Sequence, residues 1–254
     1  MRLAITGHGQ NGEFISRNHF VTVGGQKFNF DVWKECSTIP IFPQGGTWLF
    51  DRAGWCPGLQ TDVHEFEITD LITPGQPIEI DYGINGAPMA EANYLVSAQL
   101  VTYEKPTFQV DAEVIEVLRP TTQIEHARFN PACNEPMVRI KNNGQQPLTS
   151  MTIEYGEVGG ESLTFDWTGN IDFQEVEDIL LPIQFLNFWT ALEGSGQFEV
   201  RVVSANGSAD EYTNNNSTIS EFNRPQFYDR PLLVRVRTNT VSYTHLTLPT
   251  ILLV

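Results

Sequence analysis

The sequence predicts an all-β protein built from two successive units. Across 254 residues, no stretch shows sustained apolar spacing of 3.6 residues between helix caps. Short runs of β-branched and aromatic residues recur instead, separated by turns rich in Gly, Pro and Asn. With 41% hydrophobic and 18% charged residues, the chain has a globular composition, and its length leads us to expect two domains.

The first unit, residues 1–105, is predicted to be a jelly roll or similar sandwich with long loops. RLAIT alternates as a strand does, and HFVTVGG followed by QKFNFDVW predicts a hairpin over Gly24 and Gly25. The later strand candidates are VHEFEIT, PIEIDYGI and YLVSAQLVTYE. The longest loop, 35–60, contains GGTWLFDRAGWCPG, and loops of this size in compact domains are usually functional or covalently stapled.

The second unit, residues 120–224, is predicted to be an immunoglobulin-like β-sandwich, reached through a linker at 106–119 that carries one strand. About seven short strands in roughly a hundred residues are typical of that fold. The candidates are PMVRIKN, LTSMTIEYGEV, ESLTFDW, EDILLPI, GQFEVRVVSA and STISEF. FLNFWTALEG fits either a helical turn or an apolar strand end.

The two ends of the chain suggest a fragment. Residues 225–240 are interpreted as the start of a further module. VSYTHLTLPT resembles the translation of a common sequencing adaptor, so residues 241–254 are interpreted as an artefact, with a genuine short strand as the alternative. The first strand follows Met1 without a leader, and we therefore expect the first unit to be N-terminally truncated.

The net charge of the chain indicates which classes of binding partner are disfavoured. The net charge is -16, of which -6 falls in residues 1–105 and -10 in the remainder. Such a field repels phosphate backbones and anionic lipid, which argues against nucleic acid and membrane surfaces. No apolar run is long enough to span a bilayer. Neutral partners such as sugars or peptides remain open.

Polar and chargeable side chains of the first unit concentrate in two loops, GHGQNGEFISRNH and the 45–58 stretch. They are His8, Glu13, Arg17, His19, Asp51, Arg52 and Trp55. A carboxylate can orient or deprotonate water, an Arg can neutralise a developing oxyanion, and Trp faces stack on sugar rings. Alternatively, Asp51 and Arg52 form a salt bridge that locks the loop, while Trp48 and Trp55 fill the core.

The cysteines and histidines are weaker evidence for a functional site than the loop residues named above. Cys36 and Cys56 could close a loop worth roughly 3 kcal/mol, or all three cysteines, including Cys133, are buried thiols, which composition favours. His8 and His19 could bind copper or zinc, but no third ligand lies at a recognisable spacing. We therefore predict no metal and no cofactor.

The order of these residues resembles the C-terminal half of peptide-N-glycosidase F. The shared pattern is G-H, then E-aromatic-x-x-R-x-H, then a Cys, then G-x-W-x-x-D-R-A-G-W-C-P-G, and the similarity extends to about residue 105. The matching residues are Gly7, His8, Glu13, Phe14, Arg17, His19, Cys36, Gly46, Trp48, Asp51, Arg52, Ala53, Gly54, Trp55, Cys56, Pro57 and Gly58.

That family hydrolyses the amide bond between asparagine and the first N-acetylglucosamine of N-linked glycans, without a metal, in a cleft between two adjacent jelly rolls. The resemblance implies that Glu13 and Arg52 are catalytic. It implies that the substrate, an N-glycosylated protein or glycopeptide, contacts Trp55. We assign Trp48, His8 and Asp51 to the same substrate-binding wall.

The resemblance also implies a disulfide between Cys36 and Cys56, and with it an oxidising compartment. We therefore expect a secreted or cell-surface bacterial protein. Two departures stand out. A cysteine pair flanks the catalytic Glu in the family, where this chain has Asn11 and Ile15. The family's principal catalytic Asp belongs to an N-terminal jelly roll, so we expect this fragment to be inactive without that partner half.

The second unit resembles immunoglobulin-like modules that follow catalytic domains in secreted bacterial proteins and act as spacers or adhesive units. The segments that carry this resemblance are IKNNGQQPLTSMTIEYG, FDWTGNI and DEYTNNNST. One alternative is therefore a non-catalytic adhesin whose jelly roll binds glycan. Another is a copper monooxygenase, which would require clustered His and Met ligands that the sequence does not show.

Overall fold

The computed structural model describes residues 1–130, 135–183 and 194–224. Antiparallel β-sheets dominate this part of the chain, which confirms the all-β prediction. No helix in these ranges is long and apolar enough to cross a membrane. Cys133, most of FLNFWTALEG, and residues 225–254 lie outside the described residues, and so do the predictions made for them.

Six strands form the first sandwich: β1 (Arg2–His8), β2 (Asn18–Val23), β3 (Gln26–Asp31), β4 (Val63–Glu65), β5 (Ile80–Ile84) and β6 (Asn93–Gln99). They pair as two three-stranded sheets, β4-β1-β6 and β3-β2-β5. A 3-10 helix spans Thr69–Leu71, and one short α-helix, α1, spans Gln10–Phe14. The predicted strands VHEFEIT and PIEIDYGI are thus shorter in the structure.

The period-2 pattern decides which side chains enter the core of this sandwich. Along β1 and β2, alternate residues are buried, so that Leu3, Ile5, Val21 and Val23 meet between the two sheets. The β2–β3 hairpin turns at Gly24 and Gly25, as predicted, and both have positive φ angles of 55° and 87°. Such angles are those that two-residue hairpin turns require.

Among its described residues, the second sandwich has seven strands: β7 (Ala112–Arg119), β8 (Met137–Asn142), β9 (Leu148–Glu157), β10 (Ser162–Ile171), β11 (Val176–Leu180), β12 (Ser195–Ala205) and β13 (Ser217–Asn223). A four-stranded sheet, β10-β9-β12-β13, faces a three-stranded sheet, β11-β8-β7. Two 3-10 helices, Ile124–Phe129 and Thr213–Asn215, lie in its connections. Buried side chains from both sheets form one core, as in an immunoglobulin-like sandwich.

The stretch 106–119, predicted as a linker that carries one strand, contains that strand. Strand β7 occupies Ala112–Arg119 and pairs antiparallel with β8 inside the second sandwich. Val114 and Val117 are buried in its core. The strand is therefore part of the second sandwich, because its β-branched side chains fill that core.

Candidate functional site

Glu13 lies on α1, the single helical turn that follows β1. Gly9, with φ 77°, precedes this turn, and the Glu13 N–H donates to its carbonyl at 2.8 Å. A Cβ on Gly7 would lie 2.0 Å from the Gly12 carbonyl oxygen, and one on Gly12 would lie 2.8 Å from the Asn93 nitrogen. Both glycines therefore allow the turn to pack closely on β1 and β6. The helical turn α1 was not predicted, because GHGQNGEFISRNH was interpreted as a loop.

Hydrogen bonds from Asn11 tie the α1 loop to the 90–91 turn. Asn11 donates through Nδ2 to the Ala90 carbonyl at 2.8 Å and through its backbone N–H to the Glu91 carbonyl at 3.2 Å. On the other side, the Ala53 N–H donates to the Glu13 carbonyl at 2.9 Å. Ile15 is 39% exposed. Asn11 therefore holds this loop by hydrogen bonds, a role that sequence reasoning missed.

Arg52 is buried beside Glu13. Its side chain is 2% exposed, and its Nε donates to Glu13 Oε1 at 2.7 Å, whereas the Glu13 side chain is 20% exposed. The remaining guanidinium nitrogens donate to the Phe50 carbonyl at 2.9 Å and to the carbonyl and hydroxyl of Thr47 at 2.8 and 2.7 Å. Each guanidinium nitrogen thus donates to a protein group, and Nε fixes one carboxylate oxygen of Glu13.

The alternative of an Asp51–Arg52 salt bridge does not hold, because Arg52 pairs with Glu13 instead. Asp51 Oδ1 accepts a hydrogen bond from the backbone N–H of Cys36 at 3.2 Å. Asp51 is partly exposed and on this geometry stabilises the loop beside the disulfide.

Aromatic rings enclose the Glu13–Arg52 pair. The Arg52 guanidinium carbon lies 5.2 Å from the Phe14 ring centroid and 5.1 Å from that of Trp55, within cation–π range. Trp55 Nε1 donates to the Gly7 carbonyl at 3.2 Å. The His8 ring stacks on Trp55 with centroids 6.3 Å apart and 23° between the planes. The structure therefore brings Glu13, Arg52, Trp55 and His8 together.

The two histidines suggested as metal ligands occupy different surroundings. His8 Nε2 is 2.8 Å from Thr6 Oγ1, next to Trp55. His19 is fully buried, and its Nδ1 lies 2.5 Å from the Tyr82 hydroxyl. Burial and the neighbouring Arg17 and His64 lower the pKa of His19 to about 4, against a smaller opposing effect of Asp31. His19 is thus a neutral residue of the core near pH 7.

Trp48 is placed apart from this group. The guanidinium of Arg128, in the second sandwich, lies 5.9 Å from the Trp48 ring centroid. The same loop carries three exposed apolar side chains, Phe42 at 57%, Leu49 at 47% and Phe50 at 51%. The Phe50 ring meets Phe14 edge-on at 6.4 Å. An apolar surface thus adjoins the Glu13 group, and sequence reasoning did not anticipate it.

The structure confirms the disulfide between Cys36 and Cys56, with an S–S distance of 2.05 Å. Both cysteines are buried with Ile39 and Ile41 in a small core of their own. Gly54 has φ 78°, and a Cβ there would lie 2.0 Å from the Ile5 carbonyl oxygen, so this position requires glycine. The 45–58 stretch is therefore both a stapled corner and the carrier of Arg52 and Trp55.

Replacing Cys36 and Cys56 together by alanine is expected to lower the free energy of unfolding by about 2–4 kcal/mol. The disulfide closes a sequence separation of 20 residues, so its loss frees the unfolded chain. Urea unfolding under non-reducing conditions measures the change. Addition of a reductant should shift the wild-type midpoint and leave that of the double variant unchanged; equal midpoints for the oxidised wild type and the variant would contradict the expectation.

Comparison with known proteins bears on the first sandwich. Residues 1–101 match the model of the family described as peptide-N-glycosidase F, C terminal, which supports the resemblance over that part of the chain. No curated protein matches the chain.

Two solved structures are similar to about half of the chain. One is a domain of a protein described as a cell surface protein from Methanosarcina acetivorans, with 16% identity, a TM-score of 0.33, and coverage of 48% of this chain and 96% of that one. The other is a CARDB domain from Pyrococcus furiosus in complex with di-metal ions, with 18% identity, a TM-score of 0.29, and coverage of 50% and 100%.

Proposed function

We propose that the first sandwich supplies one wall of a peptide-N-glycosidase F-like amidase site in a secreted or cell-surface bacterial protein. The observation that carries this proposal is the partly exposed Glu13 carboxylate, held at 2.7 Å by the buried Arg52. A carboxylate fixed in one orientation is what positioning of water or of a substrate amide requires. The disulfide supports an oxidising compartment.

The proposed substrate is an N-glycosylated protein or glycopeptide. Water adds to the carbonyl carbon of the asparagine side chain and the bond from that carbon to nitrogen breaks, which leaves aspartate and a glycosylamine. Trp55 and His8 present aromatic surface beside Glu13, where a sugar ring can stack. A neutral glycan also avoids the repulsion that the net charge of -16 exerts on anions.

Arg52 acts in this proposal as a positioning residue rather than as a group that touches the substrate, because its side chain is 2% exposed. Glu13 Oε2 makes no hydrogen bond to protein among the described residues and is the oxygen available to water or substrate. The carboxylate that activates the attacking water is proposed to come from the N-terminal jelly roll of the parent protein, which completes the cleft.

The test measures glycan release from a denatured N-glycoprotein by mass spectrometry. The parent protein is expected to release glycan, and Glu13→Gln in that parent is expected to lower kcat by roughly 100-fold or more. Arg201→Gln, which alters an exposed ion pair on the second sandwich, is the control and should keep the parental rate. Release by the isolated 254-residue chain would contradict the need for the second wall.

The exposed Phe42, Leu49 and Phe50 favour a second candidate function, glycan or glycopeptide binding without catalysis. An adhesin of this kind would bind N-glycopeptide through the isolated chain and lose affinity in Phe50→Ser. Isothermal titration with a defined glycopeptide distinguishes the two functions when combined with the release assay. Binding by a parent that releases no glycan favours the adhesin, whereas release by the parent favours the amidase.

A further inference from the structure

The second sandwich contacts the loop that carries the candidate site. The 3-10 helix Ile124–Phe129, which leads from β7 toward β8, presents Arg128 to the first turn of the 35–60 loop. We propose that Arg128 is a positioning residue that holds this loop in place, so that the second sandwich is a brace for the site rather than a free spacer. The segment 120–130 is called the brace below.

Three hydrogen bonds join Arg128 to the loop. Its backbone N–H donates to the Pro40 carbonyl at 2.8 Å, and its Nη1 donates to the carbonyls of Ser37 at 2.5 Å and Ile39 at 3.2 Å. Its guanidinium also lies 5.9 Å from the Trp48 ring centroid. Hydrogen bonds from a charged donor are stronger than neutral ones, so these contacts restrain both ends of the 37–48 segment.

The brace is itself anchored in the second sandwich. The hydroxyl of Ser220, on β13, donates to the Pro120 carbonyl at 2.6 Å. Asn130 accepts from the Thr121 N–H at 3.0 Å and donates to the His126 carbonyl at 2.8 Å, which closes the segment on itself.

A His–Glu contact and two Arg–carboxylate ion pairs extend this anchor into the three-stranded sheet. His126 Nε2 lies 3.4 Å from Glu116 Oε2, and Glu116 Oε1 accepts from Arg139 Nη1 at 2.7 Å. Arg139 also pairs with Asp178 at 2.7 Å, which raises the pKa of the Arg139 guanidinium. Side chains from β7, β8 and β11 thus support the helix that presents Arg128.

On the loop side, the contacts reach the site through the disulfide. Residues 37–40 follow Cys36, which is bonded to Cys56 and whose backbone N–H donates to Asp51. Ile39 is 4% exposed and packs with both cysteines, so a shift of the 37–40 turn moves the stapled corner. Arg52 follows Asp51 directly, and its position sets that of Glu13.

The first test needs no enzymatic activity. In Arg128→Met, amide hydrogen exchange of residues 37–50 is expected to speed up by roughly tenfold or more, because opening of the loop no longer breaks charge-assisted hydrogen bonds. Reduction of the Cys36–Cys56 bond by dithiothreitol should accelerate in parallel. Exchange in β1, β2, β9 and β12 should stay at the wild-type level, because Arg128 lies outside both cores.

Two further variants serve as controls for the hydrogen-exchange test. Arg128→Lys retains the charge and is expected to restore part of the protection, which a purely steric role would not do. Arg201→Met removes an arginine from the same sandwich without touching the loop and should match the wild type. Wild-type exchange and reduction rates in both Arg128 variants would overturn the proposal.

A kinetic experiment on the parent protein also tests this proposal. It rests on the proposed function, and it can fail without contradicting the hydrogen-exchange result. In the parent amidase, Arg128→Met is expected to lower kcat several-fold with little change in KM, since the loop shifts Glu13 rather than the sugar-stacking surface, and Arg128→Lys should recover part of the rate. Faster exchange in a parent that releases no glycan would support the brace and refute the amidase. An unchanged kcat in an active parent, together with faster exchange, would overturn the link from brace to Glu13.

Discussion

Replacing Arg52 by methionine is expected to lower the free energy of unfolding of the first sandwich by about 3–5 kcal/mol. The substitution removes a guanidinium that is 2% exposed and leaves its partner Glu13 without a counter-charge. It also leaves the carbonyls of Phe50 and Thr47 without their donor. Glu13, whose side chain is 20% exposed, then bears the cost of its partial desolvation without a counter-charge. Urea unfolding followed by circular dichroism measures the loss.

Arg201→Met is the matched control, because Arg201 pairs with Glu154 on the surface and its side chain is 52% exposed. Screening by solvent makes such a pair weak, so this variant should unfold close to the wild-type midpoint. Arg52→Lys should fall between the two, since an ammonium can meet Glu13 but cannot reach Phe50 and Thr47 together. Equal midpoints for Arg52→Met and Arg201→Met would show that the buried pair contributes little.

Acidification from pH 7 to pH 4 is expected to cost the first sandwich about 3 kcal/mol through His19 alone. The pKa of His19 is lowered from 6.5 to about 4, mainly by burial. Below pH 6.5 the unfolded chain takes up a proton at His19 while the folded protein does not. Stability is therefore complete above pH 6.5 and falls as the pH drops toward 4. Burial lowers the pKa of His64 as well, which acts in the same direction.

Urea unfolding at several pH values tests this prediction when wild type and His19→Gln are compared. The variant loses packing and should be less stable at pH 7, but its stability should fall less on acidification, so that the two curves converge. Burial raises the pKa of Asp111 and Asp210 in the second sandwich, which has the opposite effect on stability. Subtracting the free energy of unfolding of His19→Gln from that of the wild type at each pH removes the contribution of Asp111 and Asp210, because both proteins contain them. Parallel curves would contradict the assignment to His19.

Two different restraints, a disulfide and an ion pair, hold the candidate site in place. Covalent closure by Cys36 and Cys56 restricts where the 45–58 stretch can lie. The ion pair from the buried Arg52 to the partly exposed Glu13 then selects one orientation of the carboxylate. Hydrogen bonds from Asn11 to the 90–91 turn hold the helical turn that carries Glu13.

The sequence by itself determined the elements that follow from the local alternation of apolar and polar residues. Alternating apolar residues in β1 and β2, and a Gly-Gly turn after β2, predicted strands and a hairpin that the structure contains. The same reasoning placed a strand within 106–119, but only the structure shows that this strand, β7, pairs with β8. The glycines of the 7–12 stretch suggested a loop, whereas close packing on β6 makes it the helical turn that carries Glu13.

The residue types of the site and their order were evident in the sequence, but only the tertiary structure decided what each side chain contacts. Arg52 was expected to face a substrate or pair with Asp51, yet it is buried against Glu13, 39 positions away. Trp48 was grouped with Trp55, yet it meets Arg128 of the second sandwich. The physical reason is that strand formation follows from alternation within a few residues, whereas burial and ion pairing depend on distant segments that folding brings into contact.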